Sequence, residues 1–229
     1  MSAAPATFVP LSSLKHYTEY SAGEMLARSR AFLDLASRRH TVREFSDDPV
    51  AREVIENCIR TAGLAPSGAN HQPWHFVLVG EAETKRRLRE AAESEEREFY
   101  AGKASPEWIE ALAPLGTDAV KSYMTTAPWL IAVFAQRRGG PEPGDDKKNY
   151  YINESVGIAV GFLILALHHA GLVALTHTPN PMAFLNRTLG RPAHEKPYMI
   201  VVAGKPAPDA QAPTHAMKKK ALKDMLTLA

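Results

Sequence analysis

The sequence predicts an α/β sandwich of the α+β class, in which a mixed sheet is flanked by helices. Segments with helical spacing of apolar residues alternate with short apolar runs that are typical of buried strands. Hydrophobic residues make up 45% of the 229 positions, which is enough for a large core. Because no change of composition marks a boundary, we expect residues 1–229 to form a single domain.

The first helices are predicted from apolar stripes. Ser21 is a candidate N-cap for a helix over 22–37, and a helix over 51–64 places Cys58 on its apolar face. A lone cysteine at such a position indicates packing rather than a catalytic thiol. Residues 1–21 have no clear pattern, and we expect them to form an N-terminal arm.

A loop over 65–74 joins the second helix to a predicted strand over 75–80. Pro66 and Gly68 break the helix, while small residues leave backbone N–H groups free. Such a junction suits a flat polar ligand lying against the main chain, although ordinary loops have the same composition.

The middle of the chain is predicted to carry a mobile flap. A helix over 82–100 is highly charged and has few apolar anchors, so we expect it to pack weakly. Gly102, Pro106 and Trp108 follow it, and we predict that residues 90–116 form an active-site lid. A further helix over 117–126 precedes a strand over 129–134.

The last third contains the most apolar helix, predicted over 150–170. It is apolar on all sides, so burial at a subunit interface is expected. Strands are predicted over 172–176 and 199–204, with a short helix over 181–189 between them. The polar residues 205–229 are expected to form a C-terminal arm.

Composition and motifs exclude several functions. A formal net charge of +2 gives no reason to expect nucleic-acid binding, and a single cysteine cannot form an internal disulfide. We find no Walker A loop, no G-x-G-x-x-G after a strand, no nucleophile elbow and no metal-ligand spacing. With no signal-peptide pattern or membrane-spanning length, we expect a cytoplasmic protein.

Beside a short lysine run, Lys218–Lys220, which only weakly indicates phosphate binding and is usually a solvent-facing tail, three groups of residues could carry chemistry. Arg39, Thr41 and Arg43 alternate, which suits phosphate binding but also describes solvated surface charge. The segment Thr176–Pro179 follows a strand, where ligands often bind in α/β sheets.

The third group combines opposite charges. Glu96 and Tyr100 share one helix face, and Lys121 lies on the next predicted helix. Together they could hold a zwitterion, with Glu96 facing an ammonium and the other two facing a carboxylate. Spacing alone does not show that they converge, and surface charge is the alternative.

These motifs resemble those of the FMN-dependent nitroreductase superfamily. The resemblance is carried by Arg39-x-Thr41-x-Arg43-x-Phe45, by Ala65–Trp74 and by Gly190-Arg191-Pro192. Within the superfamily the chain is most similar to the iodotyrosine deiodinase branch. The branch motifs are the acidic run before Tyr100, Asn149-Tyr150-Tyr151, Thr176-x-Thr178-Pro179 and Gly190–Lys196. The match covers about residues 22–229.

The resemblance implies an FMN enzyme that removes halide from halogenated tyrosines. It implies a domain-swapped homodimer with two FMN sites at the interface, and NAD(P)H as electron source, directly or through a reductase. A general nitroreductase or quinone reductase, a halophenol reductase and a non-catalytic FMN-binding protein are the alternatives. Expected partners are a second copy of the chain, a halotyrosine and possible reductases, with no nucleic acid and no membrane.

The resemblance also assigns roles to residues. Thr178 would be catalytic at the reactive edge of the flavin, and the substrate would meet four residues: Ala69, Glu96, Tyr100 and Lys121. The residues expected to bind FMN are Arg39, His40, Thr41, Arg43, Pro66, Ser67, Gly68, Ala69, Thr176, His177, Thr178 and Lys219. His40 and Lys219 stand where arginine is common, which would weaken those contacts.

Overall fold

The computed structural model describes residues 12–14 and 16–229. The predicted N-terminal arm over 1–21 therefore lies partly outside the described residues. The chain divides at Arg38 into two compact units, of which Arg39–Ala229 is the larger. The first unit contains helix α1 (Ala22–Ser37), whose first turn is capped by Ser21 as expected. No residue of α1 is buried, and its apolar side chains Met25, Phe32 and Leu33 are exposed.

The larger unit is built on a four-stranded sheet, which confirms the predicted α+β class. Its strands are β1 (Trp74–Val79), β2 (Trp129–Gln136), β5 (Val173–His177) and β6 (Glu195–Gly204), in the order β1-β2-β6-β5. Each neighbouring pair is antiparallel. The predicted mixed sheet is therefore antiparallel throughout its four strands, and the parallel contact between Thr41 and Ala174 at the β5 edge is an isolated bridge. A short hairpin joins β3 (Arg138–Gly139) to β4 (Lys147–Lys148).

Helices cover both faces of this sheet. Successive residues of a strand face opposite sides, and apolar residues on both sides require burial. On β2, Leu130 and Phe134 pack into one core with Leu88 of α3 (Ala82–Glu98). Ile131 and Val133 pack into the other core, which contains α2 (Arg52–Gly63) and α6 (Ile152–His169). The remaining helices are α4 (Pro106–Leu112), α5 (Tyr123–Thr126), α7 (Phe184–Leu189) and α8 (Thr214–Met217).

The segment between α3 and β2 differs most from the sequence prediction. Helix α3 runs into a π-helical turn at Phe99–Lys103, and α4 is an additional helix that the pattern did not indicate. The helix predicted over 117–126 is wrong in its first half, because α5 begins only at Tyr123. Before it, the Lys121 side chain donates to the backbone carbonyl of Asp118, which stabilises a turn instead.

The expectation of weak packing for α3 is also wrong. Leu88 and Ala92 are fully buried, and Lys85 is 8% exposed. The Lys85 Nζ donates to the carbonyls of Thr125 (3.2 Å) and Ala127 (2.8 Å). Charged side chains therefore anchor this helix by reaching backbone acceptors, a role that an apolar count does not register.

Helix α6 is the one described helix whose length and apolar composition alone would allow it to cross a membrane. Its buried side packs against α2 and the sheet, with Val156, Leu163 and Leu167 in the core. Ile158 and Phe162 on its other side are 42% and 39% exposed. The second apolar face is thus uncovered in a single chain, as the prediction of an interface helix requires.

A buried ion pair holds the beginning of β6. The Arg191 guanidinium donates two bonds of 2.7 Å to Glu195, whose side chain is 1% exposed and also accepts from Gln136. Burial opposes ionisation of Glu195, but the donors from Arg191 and Gln136 outweigh it and lower the pKa of the carboxyl. Within the Gly190–Lys196 motif, Arg191 and Glu195 therefore stabilise the start of β6.

Candidate functional site

The three residues predicted to hold a zwitterion converge in the structure. Glu96, Tyr100 and Lys121 all line one cavity of about 390 Å³, which we call the clamp cavity. The Lys121 Nζ lies 3.3 Å from the Glu96 carboxylate, and these side chains are 3% and 15% exposed. The Tyr100 hydroxyl donates to the carbonyl of Thr117 at 3.2 Å. Two opposite charges therefore face each other in a site largely removed from water.

Aromatic side chains form much of the remaining wall of the clamp cavity. Phe99, Trp108 and Tyr123 line it, and Phe99 meets the Tyr100 ring edge-on with centroids 5.3 Å apart. Sequence reasoning missed Trp108 and Tyr123 as site residues. The position of Tyr123, two residues after Lys121, was the available signal. An apolar wall beside a charge pair suits an aromatic amino acid.

A second cavity of about 340 Å³ adjoins the first, since Thr176 lines both. Arg39 and Thr41 line the second cavity, whereas Arg43 lines the clamp cavity. The bridge from Thr41 to Ala174 fixes this segment along the edge of β5. The predicted alternation therefore places the three residues beside the exposed end of one strand.

The two guanidiniums are available to a ligand. Among the residues that the structure describes, neither Arg39 nor Arg43 has a hydrogen-bond or ion-pair partner, although both are half-buried. Gly161 and Ile164 of α6 supply an apolar wall to the second cavity, and a Cβ on Gly161 would meet nothing within 4 Å. Unpaired cations beside free threonine hydroxyls and an apolar wall fit a phosphate-bearing flat ring such as FMN.

The strand end brings three consecutive residues to the clamp cavity. Thr176, His177 and Thr178 all line it, the two threonines exposed and His177 only 7% exposed. Successive strand residues face opposite sides, so the His177 ring packs against Tyr123 with centroids 5.9 Å apart. The exposed groups that this strand end offers to a ligand are the threonine hydroxyls, beside the largely buried ring of His177.

Burial, assisted by the charge of Lys121, lowers the pKa of His177 to about 3. Its Nδ1 lies 3.3 Å from the Tyr123 hydroxyl, and its Nε2 is buried without a partner among the described residues. The folded state therefore holds a neutral ring, whereas in the unfolded chain the imidazole has its ordinary pKa of 6.5.

We expect His177 to make the protein less stable in acid. Because the pKa is depressed on folding, the contribution is complete above pH 6.5 and is lost as the pH falls toward 3. Urea unfolding of wild type at pH 7.5 and pH 5 should show about 2 kcal/mol of loss that His177→Gln lacks. An equal pH dependence in both proteins would contradict the neutral buried ring.

The loop over 65–74 lies apart from these cavities. Of the described residues, none of Pro66, Ser67, Gly68 and Ala69 lines either cavity. Instead the loop packs on the start of α6, where the Gly68 N–H donates to Ser155 at 3.3 Å. A Cβ on Gly68 would lie 2.7 Å from the carbonyl of Tyr150, so only glycine fits. The loop is thus anchored at Gly68, while Pro66 and Ala69 are exposed.

Two other predicted contacts are also outside the cavities. His40 lines neither cavity, and Lys219 donates to the carbonyl of Ala216 at 2.8 Å on an exposed segment. Beyond Lys219, Leu222, Met225 and Leu226 are exposed. Within one chain, the structure brings together the arginine segment, the strand end and the clamp, but neither the loop nor the C-terminal segment.

Comparisons with known proteins agree with this geometry. The model of the Nitroreductase family matches residues 36–205. An iodotyrosine deiodinase from Haliscomenobacter hydrossis is 48% identical over 93% of this chain and 95% of the relative. One from Danio rerio is 45% identical over 92% of this chain and 71% of the relative.

Solved structures give the same result. A crystal structure of oxidised iodotyrosine deiodinase bound to FMN and 3-iodo-L-tyrosine has a TM-score of 0.67 and 30% identity, over 77% of this chain and 90% of that one. A BluB-like flavoprotein from Clostridium difficile has a TM-score of 0.65 at 20% identity, over 86% and 98% of the two chains, and supports the fold alone.

Proposed function

We propose a function for this chain on the premise that it belongs to the nitroreductase family. It is an FMN-dependent enzyme that reductively removes halide from halogenated tyrosines. The observation that carries the proposal is the clamp, because it places a carboxylate and an ammonium 3.3 Å apart beside an aromatic wall. The relatives that are up to 48% identical over almost the whole chain are iodotyrosine deiodinases.

The clamp is suited to the amino-acid end of the substrate. An entering zwitterion replaces the ion pair between Glu96 and Lys121 by two new ones. Its ammonium pairs with Glu96, and its carboxylate pairs with Lys121 and accepts a hydrogen bond from Tyr100. Burial, opposed by the bond to Thr117 and assisted by the charge of Glu96, raises the pKa of Tyr100, so the phenol remains a donor. Each substrate charge is then compensated inside a site that excludes water.

The residues near the shared wall of the two cavities are suited to FMN. In our proposal Arg39 and Arg43 bind the phosphate and a ring oxygen, Thr41 adds a hydroxyl, and Thr176 and Thr178 lie at the reactive edge of the ring. When bound and reduced, FMN would supply two electrons, which together with one proton would replace the halide as it leaves with its bonding pair. The protein orients the two rings, holds the charges and limits access of water.

We further propose that each FMN site combines two copies of the chain. The loop over 66–69 is expected to line the flavin, yet within its own chain it lies outside both cavities. Exposed Ile158 and Phe162 on α6 provide an apolar surface for a partner. We assign Lys219 and the exposed apolar residues after it to a C-terminal arm that reaches the phosphate site of the partner.

The source of electrons and the cellular location belong to the same proposal. FMN turns over only when it is reduced again, and we assign this to NAD(P)H, directly or through a reductase. Cys58 is buried, and burial raises the pKa of its thiol, so it is an unreactive packing residue. A chain with one buried thiol and no disulfide suits the cytoplasm.

Ligand binding by the FMN-loaded wild type tests the substrate class. We expect 3-iodotyrosine to quench flavin fluorescence and to bind at least about tenfold more tightly than 2-iodophenol, because only the amino acid engages both clamp charges. The reduced enzyme should release iodide from 3-iodotyrosine. Equal affinity for both ligands would favour a halophenol reductase or a general nitroreductase instead.

A further inference from the structure

Helix α3 is bonded to the segment over 121–127 by three charged residues spaced four apart, namely Lys85, Arg89 and Glu93. Lys85 reaches the carbonyls at the end of α5, and the Arg89 guanidinium donates to the hydroxyl of Thr125 at 3.0 Å. Residues with this spacing lie on one face of a helix, so the bonds of all three are made from the same face of α3. We call this set the α3 ladder.

Glu93 is the member of the α3 ladder that contacts the clamp itself. Its Oε1 accepts the backbone N–H of Lys121 at 2.8 Å and the Nε of Arg89 at 2.7 Å. Its side chain is 16% exposed. Burial opposes ionisation, but the Lys121 N–H and the Arg89 guanidinium outweigh it and lower the pKa of Glu93.

The position of this contact couples the two charges of the clamp. Glu96 follows Glu93 by three residues on the same helix, and Lys121 precedes α5 in a segment that is not helical. Without Glu93, the Lys121 main chain would keep only the bonds of its own turn. The 3.3 Å separation between the Lys121 ammonium and Glu96 thus depends on the register that Glu93 sets between helix and turn.

We propose that Glu93 is a positioning residue, which sets the Lys121 ammonium at the correct distance from Glu96 and thereby determines selectivity for the amino-acid end of the substrate. This inference rests on the proposed function. Glu93 does not line the clamp cavity and acts through Lys121. Glu93 also lies within the predicted lid over 90–116, and its bond to Lys121 fixes α3 to the rest of the protein at that position.

Glu93→Ala in the FMN-loaded protein tests the inference. We expect its affinity for 3-iodotyrosine to fall by about tenfold, with 2-iodophenol affinity and FMN content unchanged. Glu93→Asp keeps the charge but withdraws the carboxylate from the N–H, and we expect an intermediate loss of about threefold. Glu93→Gln keeps an oxygen acceptor for the Lys121 N–H and should retain most of the wild-type affinity for 3-iodotyrosine.

The chain offers a matched control on the same helix. Glu90 pairs with Arg86 at the same spacing of four residues, but both side chains are more than half exposed, at 60% and 53%. Glu90→Ala should therefore leave the affinity for both ligands unchanged.

In a Lys121→Ala background, Glu93→Ala should add no further loss of affinity for 3-iodotyrosine, because its effect passes through Lys121.

The outcomes separate this inference from the proposed function. Wild-type protein without preference for 3-iodotyrosine over 2-iodophenol would refute the proposed substrate class. A wild type with that preference, and Glu93→Ala and Glu93→Asp variants that retain it in full, would overturn the positioning role. Equal losses for both ligands in these variants would also overturn it, because they would indicate a general structural effect.

Discussion

Replacing either charge of the clamp is expected to weaken 3-iodotyrosine binding by at least about tenfold. Glu96→Gln leaves the substrate ammonium without a counter-charge, and Lys121→Ala does the same to the carboxylate. The Lys121 side chain is 3% exposed and that of Glu96 is 15% exposed, so water compensates little. An unpaired charge in such a site typically costs about 2–5 kcal/mol, and about 1.4 kcal/mol is a factor of ten.

Titration of flavin fluorescence measures this effect. FMN content should be the same in both variants and in wild type, because neither residue is assigned to the cofactor. 2-Iodophenol has no zwitterion, and its weak binding should be nearly insensitive to either substitution. The clamp assignment would be refuted if both variants bound 3-iodotyrosine with wild-type affinity while retaining FMN.

Blocking the exposed loop is expected to abolish FMN binding even though the loop lies outside the cavities of its own chain. Pro66 is exposed, so Pro66→Trp should fold normally and yet fill the flavin position in a dimer. The double variant Arg39→Ala/Arg43→Ala should also lose FMN, because it removes the two guanidiniums assigned to the phosphate and a ring oxygen. Each variant alone should be a nearly colourless dimer.

Mixing the two variants distinguishes a composite site from a site within one chain. After co-refolding, a heterodimer contains one site with intact arginines from one chain and an intact loop from the other. A 1:1 mixture should therefore recover about a quarter of the wild-type FMN sites, because half of the dimers are mixed and each has one good site. Mixed dimers that bind no FMN would contradict the composite site, as would FMN binding by Pro66→Trp alone.

Several features of the site were determined by the sequence alone. Alternation placed Arg39, Thr41 and Arg43 on one side of an extended segment, and helical spacing placed Glu96 and Tyr100 on one face. Such short-range geometry follows from the backbone, whatever the rest of the chain does. The α+β class followed in the same way from the order of apolar patterns.

The tertiary structure decided which of these local groups meet. Lys121 was predicted on a helix but lies on a turn, where its backbone bonds to Glu93 and its side chain pairs with Glu96. The anchoring of α3 by Lys85 was not predictable, because its partners are main-chain carbonyls that every residue possesses.

The structure also separated the loop over 66–69 from the cavities, although both had been assigned to one flavin. No pattern along the chain reports whether two segments meet within one copy or between two, since local propensity is identical in both cases. That distinction depends on how elements pack across the sheet. The sequence therefore determined the chemical groups of the site, and the fold decided their partners and distances.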